Sequence, residues 1–281
     1  MLTLRTPAKV NIGLWVEKKR PDGYHDLRSL FIPIELFDKL SFTIQTKGIE
    51  LLCDEPHVPC DSTNLVWKAA DLFFTYTGVR SGVIIRLQKE IPVGHGLGGG
   101  SSDAAATLVG LNRLFSAKLT IDELFSLALE VGMDCPFFLS PKPSLALGRG
   151  EDLFDLEIES FDLQLYLPGF GVSTPWAYKN LERLTNGEDA CKLLLKALLE
   201  RRYKELRKWL YNTFEEVVYR RHPELSNIID WFYKEGAWFA GLSGSGSALY
   251  AAFPPDVEIV LPEGTAGCLL RVKTLEKWGV V

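Results

Sequence analysis

Hydrophobic and polar positions alternate in three segments of the first 90 residues, over residues 2–16, 40–52 and 82–87. Alternation with a period of two predicts half-buried β-strands. Between the second and third segments, residues 62–76 carry apolar side chains at helical spacing. The pattern therefore predicts two strands, a helix and a third strand ahead of a glycine-rich segment at residues 92–103.

Beyond the glycines the pattern changes to helical. Apolar residues recur every three or four positions over residues 104–115, which predicts a helix that begins near Ser102. Thr120 and Glu123 have the spacing of a capping box, in which the two side chains satisfy each other's backbone N–H groups. We therefore expect a second helix that ends at Gly132.

The second half of the chain has a different pattern. Residues 162–167 alternate as a strand, residues 175–234 are mainly helical, and residues 248–253 predict a final strand. Mixed strands and helices favour an α+β or α/β architecture in two layers, with a change of pattern near residue 155.

Composition places the chain among globular proteins, with 281 residues, 47% hydrophobic positions and five cysteines. No apolar run approaches the roughly 18 residues that span a bilayer, and no signal-peptide core follows Met1, so we expect a cytoplasmic protein. The formal charge of −5 argues against nucleic acid as a partner. The cysteines are scattered without a C-x-x-C pair, which predicts free thiols.

Five glycines lie within residues 92–103, and this segment is the first candidate for a functional site. Each ordered glycine costs roughly 0.5 to 1 kcal/mol relative to alanine, so a run of five indicates a close backbone approach or a requirement for positive φ. Bare backbone ahead of a helix N-terminus is suited to holding phosphate, because its N–H groups and the helix dipole both favour an anion.

Common glycine-loop motifs do not fit this segment. Gly94, Gly96 and Gly99 satisfy the dinucleotide fingerprint, but the acidic residues about 20 positions beyond open a helix instead of ending a strand. A P-loop is excluded because no Gly-Lys-Ser or Gly-Lys-Thr occurs. Residues 241–247 fail the hydrolase elbow pattern Gly-x-Ser-x-Gly, since the fifth position is Ser245.

Three segments together resemble, in order, the three motifs of the GHMP kinases, a family of small-molecule kinases. They are residues 7–14 (Pro-Ala-Lys-Val-Asn-Ile-Gly-Leu), residues 92–105 and residues 241–247. The resemblance implies an α+β fold of two domains with the active site between them. Residues 1–155 would form the ATP-binding domain, like domain 2 of ribosomal protein S5, and residues 156–281 a ferredoxin-like C-terminal domain.

Two further segments, residues 20–27 (Arg-Pro-Asp-Gly-Tyr-His-Asp-Leu) and residues 132–136 (Gly-Met-Asp-Cys-Pro), resemble one branch of this family. Its members phosphorylate the 2-hydroxyl of 4-diphosphocytidyl-2-C-methyl-D-erythritol in non-mevalonate isoprenoid biosynthesis. The resemblance implies ATP and Mg²⁺ as cofactors, that small molecule as the partner, and neither nucleic acid nor membrane. The alternatives are a kinase of the same family that acts on homoserine, mevalonate or a sugar, and a catalytically silent nucleotide-binding regulator.

Lys9 and Asp134 are the predicted catalytic residues. Lys9 and Asn11 share one face of the first strand because side chains alternate, while Val10 and Ile12 point into the core. By resemblance Asp134 is the base, and Lys9 lies beside it and keeps its carboxylate ionised. Residue pattern alone also fits Asp134 as a helix cap before a proline turn, and both proton abstraction and mere orientation of the hydroxyl remain open.

By resemblance, the backbone amides from Gly96 to Ser102 hold the phosphates of ATP, and the hydroxyl of Ser101 or Ser102 contacts phosphate or magnesium. Either serine is equally an ordinary N-cap. Asn64 frames the adenine pocket by resemblance, although in the sequence it also fits a helix start. His95 replaces a glycine that is frequent in the family. The predicted nucleotide contacts are Asn64, Pro92, Gly94, Gly96, Leu97, Gly98, Gly99, Gly100, Ser101 and Ser102.

Tyr24 and His25 follow an Asp-Gly turn that presents them from a loop. An aromatic face can stack on cytosine and a polar ring can bind its edge, and the resemblance adds Tyr178 as a second wall, with Trp176 as a competitor. Asn212 opens a segment in which the family has Asn-Asp-Leu-Glu, and here Thr213 departs from it. The predicted substrate contacts are Asn11, Tyr24, His25, Tyr178, Gly241, Ser243 and Gly244.

Overall fold

A computed structural model describes residues 1–279, and its strands form two sheets. The strands are β1 (Leu2–Lys19), β2 (His25–Gln45), β3 (Ile49–Cys53), β4 (Gly82–Gln88), β5 (Ser144–Leu147), β6 (Asp152–Asp155), β7 (Asp162–Leu167), β8 (Phe239–Leu242), β9 (Leu249–Ala252) and β10 (Cys268–Lys273). The helices are α1 (Leu65–Thr77), α2 (Gly99–Leu114), α3 (Ile121–Val131), α4 (Thr174–Lys179), α5 (Glu188–Leu199), α6 (Tyr203–Leu206), α7 (Glu215–Arg221) and α8 (Pro223–Lys234).

The first sheet is built around the long antiparallel hairpin of β1 and β2. Gly23 turns the chain between them with φ of +87°, a conformation that glycine adopts without strain. The other strands follow the order β3-β4-β2-β5-β6, in which β3 and β4 are parallel and the remaining pairs are antiparallel. Helices α1, α2 and α3 cover the sheet through a core that includes Phe42, Phe73 and Leu108.

The second sheet has the order β10-β7-β9-β8, and all its pairs are antiparallel. Its residues Leu165 and Phe239 share a hydrophobic core with Val10 and Ile12 of β1. The buried face of β1 therefore packs against the C-terminal half, and this contact fixes the first strand at the junction of the two sheets.

Most predicted elements are confirmed. The strands predicted over residues 2–16, 82–87 and 162–167 are present as β1, β4 and β7. Thr120 caps α3 in a complete capping box with Glu123, and the mainly helical segment contains α4 to α8. The five cysteines are free thiols.

Three predictions of secondary structure were wrong. Residues 40–52 are not one strand, because the chain turns at Gly48, where φ is +81°, and separates β2 from β3. Helix α2 begins at Gly99, three residues before Ser102. The strand over residues 248–253 is present as β9 but is not the last, since β10 follows it.

Strands β5, β6, β8 and β10 were not predicted. The first three have only four residues each, and β8 is buried on both faces, so these three strands show no sustained alternation. The division into domains at residue 155 stays a prediction. No helix within residues 1–279 is both long and apolar enough to cross a membrane.

Candidate active site

A cavity of about 840 Å³ lies where the glycine-rich segment, β1 and the β1–β2 turn meet the second half of the chain. Most of the predicted site residues line it, although they come from segments far apart in sequence. The predicted residues in its wall are Lys9, Asn11, Tyr24, His25, Asn64, Pro92, Gly94, Gly96, Leu97, Gly98, Gly99, Gly100, Ser101, Asp134, Tyr178 and Gly244.

Three alternate glycines shape the loop at one end of the cavity. Gly94, Gly96 and Gly98 have φ of +75°, +72° and +73°, the left-handed region that side chains with a Cβ avoid. Gly98 is the N-cap of α2, so the N–H groups of the next residues begin the helix without an intrahelical acceptor. Alternating backbone of this kind points N–H groups to one side, which makes it a binding site for an anion.

The loop is fixed from two sides. The N–H of Lys9 donates to the carbonyl of Leu97 over 2.9 Å and ties the loop to β1. Ser243 donates its hydroxyl to the carbonyl of Gly96 over 3.0 Å and ties it to the C-terminal half. At Gly96 a Cβ atom would lie 2.1 Å from the carbonyl oxygen of Ser243, so only glycine allows this approach.

Ser102, predicted as a phosphate or magnesium contact, does not reach the cavity. Its side chain is buried, donates to the carbonyl of Pro7 over 2.7 Å and bonds to the Thr6 hydroxyl. Its N–H donates to the carbonyl of Gly98 inside α2. Ser101 does line the cavity, so it is the serine whose hydroxyl is open to a ligand.

Lys9 and Asp134 meet beside the glycine loop. The Lys9 Nζ atom lies 3.6 Å from Oδ2 of Asp134, with exposed side-chain fractions of 5% and 34%. Asp134 follows the end of α3 and precedes a short 3₁₀ helix over Pro136–Leu139. The buried ammonium thus faces a carboxylate that remains open to the cavity.

The surroundings of Lys9 hold its ammonium in place. Burial lowers the pKa of Lys9 below its ordinary value, and the charge and hydrogen bond of Asp134 act in the opposite direction. Lys9 Nζ also donates to the Asn11 amide oxygen and lies 4.7 Å from the centre of the Phe31 ring. Asn11 in turn donates to Ser29, so its side chain orients Lys9 from the same strand face, as alternation predicted.

At the hairpin end of the cavity the three predicted aromatic residues come together in the wall. His25 stacks on Tyr178, with ring centres 5.2 Å apart and planes at 23°. Tyr24 is 48% exposed and lies under the Arg149 guanidinium. Trp176 does not line the cavity and packs under Arg221, so Tyr178 is the aromatic residue of that helix that faces a ligand.

The glycine segment of residues 241–247 mainly supports other parts of the site, and only part of it lines the cavity. Gly241 and Ser243, both predicted substrate contacts, lie outside the cavity wall. Gly241 packs against Tyr250 and the Ser243 hydroxyl is used by the glycine loop, whereas Gly244 reaches the cavity. Asn212 donates to the carbonyl of Gly244 over 2.8 Å and so fixes this segment.

Three other residues singled out in the sequence make structural contacts. Thr213 accepts the N–H of Val16 over 2.9 Å, so this departure from the family pattern is used to hold β1. His95 is 9% exposed, and its ring nitrogens lie 2.8 Å and 3.0 Å from the carbonyls of Val93 and Pro168. Asn64 caps α1 by accepting the N–H of Val66, as its sequence position also suggested.

Sequence reasoning missed a buried ionic network behind the glycine loop. Lys89 lies between Asp38 and Asp103, at 2.9 Å from Oδ2 of Asp103, and a Cβ atom at Gly99 would lie 3.1 Å from its Nζ. Burial raises the pKa of Asp103, and the charge of Lys89 opposes that shift. No sequence motif predicts this network, because Asp38, Lys89 and Asp103 lie on separate elements.

Arg149 is a second missed residue in the cavity wall. It lies in the turn of residues 148–151 (Gly-Arg-Gly-Glu) between β5 and β6. Two glycines around a cation were the available signal in the sequence.

Residues 1–279 contain no group of three or more His, Cys, Asp and Glu side chains placed to hold a metal ion. Mg²⁺ fits the cavity in the way it usually binds with nucleotides, through phosphate oxygens and water with few protein ligands. Asp134 and Ser101 line the cavity and would offer it oxygen ligands.

Comparison with known proteins agrees with this geometry. Family models described as "GHMP kinases N terminal domain" and "GHMP kinases C terminal" match residues 64–142 and 194–262. The crystal structure of a mevalonate kinase from Methanococcus jannaschii superposes with a TM-score of 0.71 at 14% identity, covering 98% of both chains, which shows the shared fold. The chain belongs to the GHMP kinase family, and the α+β fold predicted for it is confirmed.

Within that family, the chain is similar to enzymes of one particular name. The 4-diphosphocytidyl-2-C-methyl-D-erythritol kinase of Prosthecochloris aestuarii is 40% identical over 91% of this chain and 90% of its own. The enzyme of that name from Methylacidiphilum infernorum is 41% identical over 89% of this chain and 85% of its own. A crystal structure of 4-(cytidine 5'-diphospho)-2C-methyl-D-erythritol kinase superposes with a TM-score of 0.77 at 32% identity, covering 97% of this chain and 99% of that one.

Proposed function

We propose that this protein is an ATP-dependent kinase that phosphorylates the 2-hydroxyl of 4-diphosphocytidyl-2-C-methyl-D-erythritol. The observation that carries the proposal is the 3.6 Å contact of Lys9 and Asp134 beside the glycine loop, in one cavity with the aromatic pair at the hairpin end. The names of the relatives support this substrate. The cytoplasmic location stays a prediction.

The glycine loop holds the phosphates of ATP in this proposal. The N–H groups at the start of α2 and the loop backbone bind the phosphate oxygens, and Ser101 adds a hydroxyl. Mg²⁺, held beside the loop with the Ser101 hydroxyl as a ligand, would neutralise charge on the phosphates. Asn64 and Pro92, in the wall next to the loop, border the adenosine.

Asp134 and Lys9 act on the acceptor alcohol. Asp134 orients the 2-hydroxyl and takes its proton as the oxygen bonds to the γ-phosphorus, while the bond from that phosphorus to the leaving ADP oxygen breaks. The Lys9 ammonium lies 3.6 Å from the Asp134 carboxylate and stabilises negative charge on the attacking oxygen. Asn11 positions Lys9, because its amide oxygen accepts from the ammonium.

The hairpin end selects the cytidine. Tyr178 and His25 form one aromatic wall, and Phe214 supports Tyr178 edge-on with ring centres 4.9 Å apart. Burial lowers the pKa of His25, which favours the neutral ring that has one donor and one acceptor for the edge of a cytosine. Tyr24 closes the mouth of the cavity beside them.

A coupled assay of ADP release tests the proposal. We expect turnover with 4-diphosphocytidyl-2-C-methyl-D-erythritol, and a roughly ten- to hundredfold lower kcat/KM with the same alcohol phosphate lacking the cytidine, the loss expected when base stacking is removed. Homoserine and mevalonate serve as acceptors for the alternative kinases. Equal rates with and without the cytidine, or faster turnover of either control acceptor, would overturn the assignment.

A further inference from the structure

We propose that Arg149 binds the diphosphate of the substrate and is the charged contact between its two recognised ends. This inference rests on the proposed function. A nucleotide-linked alcohol that places its base at the hairpin end and its hydroxyl at Asp134 has its two phosphates between them. Phosphates that enter a cavity lose water and require a cation with free N–H groups.

Few cations in the cavity wall are available for that purpose. The lysines and arginines that line it are Lys9, Lys89 and Arg149. Lys9 is engaged by Asp134 and Asn11, and Lys89 lies between two aspartates. Within residues 1–279 Arg149 has one side-chain hydrogen bond, from Nε to Glu151, so its two terminal nitrogens remain available.

Arg149 lies in a turn that has neighbours at both ends of the proposed substrate site. Its guanidinium carbon lies 5.3 Å from the centre of the Tyr24 ring at the hairpin end. The next residue, Gly150, lies against the catalytic carboxylate, since a Cβ atom on Gly150 would be 3.6 Å from Oδ1 of Asp134. The turn that carries Arg149 therefore contacts both the hairpin end and the surroundings of the catalytic carboxylate.

The turn that carries Arg149 is rigidly held. Glu151 accepts both the backbone N–H of Arg149 over 2.6 Å and its Nε over 2.7 Å. Gly148 and Gly150 have φ of +67° and +117°, and the carbonyl of Gly148 accepts the N–H of Leu27 on β2 over 2.6 Å. Binding by a pre-positioned guanidinium loses little side-chain entropy, and its planar fork matches two phosphate oxygens.

Binding of CDP and of cytidine to the purified full chain tests the inference by calorimetry, without turnover. In Arg149→Gln we expect the Kd of CDP to rise roughly ten- to a hundredfold, the loss typical of charge-assisted hydrogen bonds. The Kd of cytidine, which has no phosphate, and the Kd of ATP stay unchanged. Arg149→Lys keeps the charge without the fork and gives an intermediate Kd for CDP. Arg86→Gln, on the exposed face of β4 outside the cavity, is the matched control.

The outcomes separate this inference from the proposed function. Equal weakening of CDP and cytidine in Arg149→Gln would mean that the residue only shapes the hairpin end, and unchanged CDP binding would remove the diphosphate contact; either result overturns the inference. If wild type binds CDP through Arg149 but transfers no phosphate to the proposed substrate, the inference stands and the proposed function fails. If Arg149→Gln does not fold, Arg149→Lys decides, since Kd values for CDP equal to wild type contradict the fork contact.

Discussion

Asp134→Asn is the substitution that most directly tests the chemistry of the site. The amide keeps the shape of the side chain but cannot accept the hydroxyl proton, and a positioned base contributes about 10² to 10⁴ in rate, or about 3 to 5 kcal/mol. We therefore expect kcat to fall by at least a hundredfold, while the KM values for both substrates change little.

The same substitution has a second effect that follows from the buried ammonium. At an effective dielectric constant of about 20, two unit charges 3.6 Å apart attract by about 5 kcal/mol, and the 34% exposure of Asp134 lowers that figure. Burial already lowers the pKa of Lys9, and removal of the carboxylate lowers this pKa further. As pH is raised, Lys9 of the variant should therefore lose its proton earlier. The alkaline limb of the pH profile of the residual activity should then lie at lower pH than that of wild type.

Steady-state ADP release over a range of pH, with both substrates varied, measures these two effects. Asp256→Asn, an exposed residue of a distant loop, is the control and should match wild type. A kcat within tenfold of wild type in Asp134→Asn, with unchanged KM values, would refute the role of Asp134 in proton transfer. An unchanged alkaline limb would refute the coupling to Lys9.

Three further predictions concern other parts of the molecule. Burial raises the pKa of Glu215 from 4.5 to about 7, so the stability that its protonated side chain contributes is complete below the pKa of the unfolded chain and is lost as pH rises through 7. Glu215→Gln should therefore raise the free energy of unfolding, measured with urea, by up to about 3 kcal/mol at pH 8 and by much less at pH 5. An equal effect at both pH values would contradict the pKa shift. Gly96→Ala meets a backbone oxygen at 2.1 Å and should raise the KM of ATP at least about tenfold, whereas Gly264→Ala, with similar φ and open space, costs only about 1–2 kcal/mol of stability; equal KM values in the two variants would argue against the close approach. Tyr178→Leu should raise the KM of the cytidylyl substrate roughly tenfold or more without changing that of ATP, and Trp176→Leu should leave both unchanged; the reverse result would exchange the roles of the two aromatic residues.

Local sequence patterns predicted the helix, the strand and the loop that carry individual parts of the site. The capping box of α3 fixed the helix whose end carries Asp134, and strand alternation placed Lys9 and Asn11 on one face. The glycine spacing indicated a phosphate loop, although its helix begins at Gly99, because glycines in the first turn do not interrupt a helix that packing stabilises.

Local patterns could not predict the contacts that depend on tertiary structure. The hydroxyls of Ser102 and Ser243 looked available in the sequence, but each finds a backbone carbonyl from a distant segment. His25 stacks on Tyr178, a contact that no local pattern indicates, since the turn between β1 and β2 decides which side chains face inward. Arg149 lies in a short turn between two four-residue strands that show no pattern of their own.

The hydrogen bond from Ser243 to Gly96 joins residues 147 positions apart. Contacts of such sequence separation form late, because the closure entropy of the intervening chain must first be offset by the packing of both sheets. Nucleotide affinity is therefore a reporter of complete assembly: during refolding it should recover after the circular dichroism signal of the helices. A fragment that ends before β8 lacks one of the two anchors of the glycine loop, so it should form much secondary structure and still bind ATP weakly.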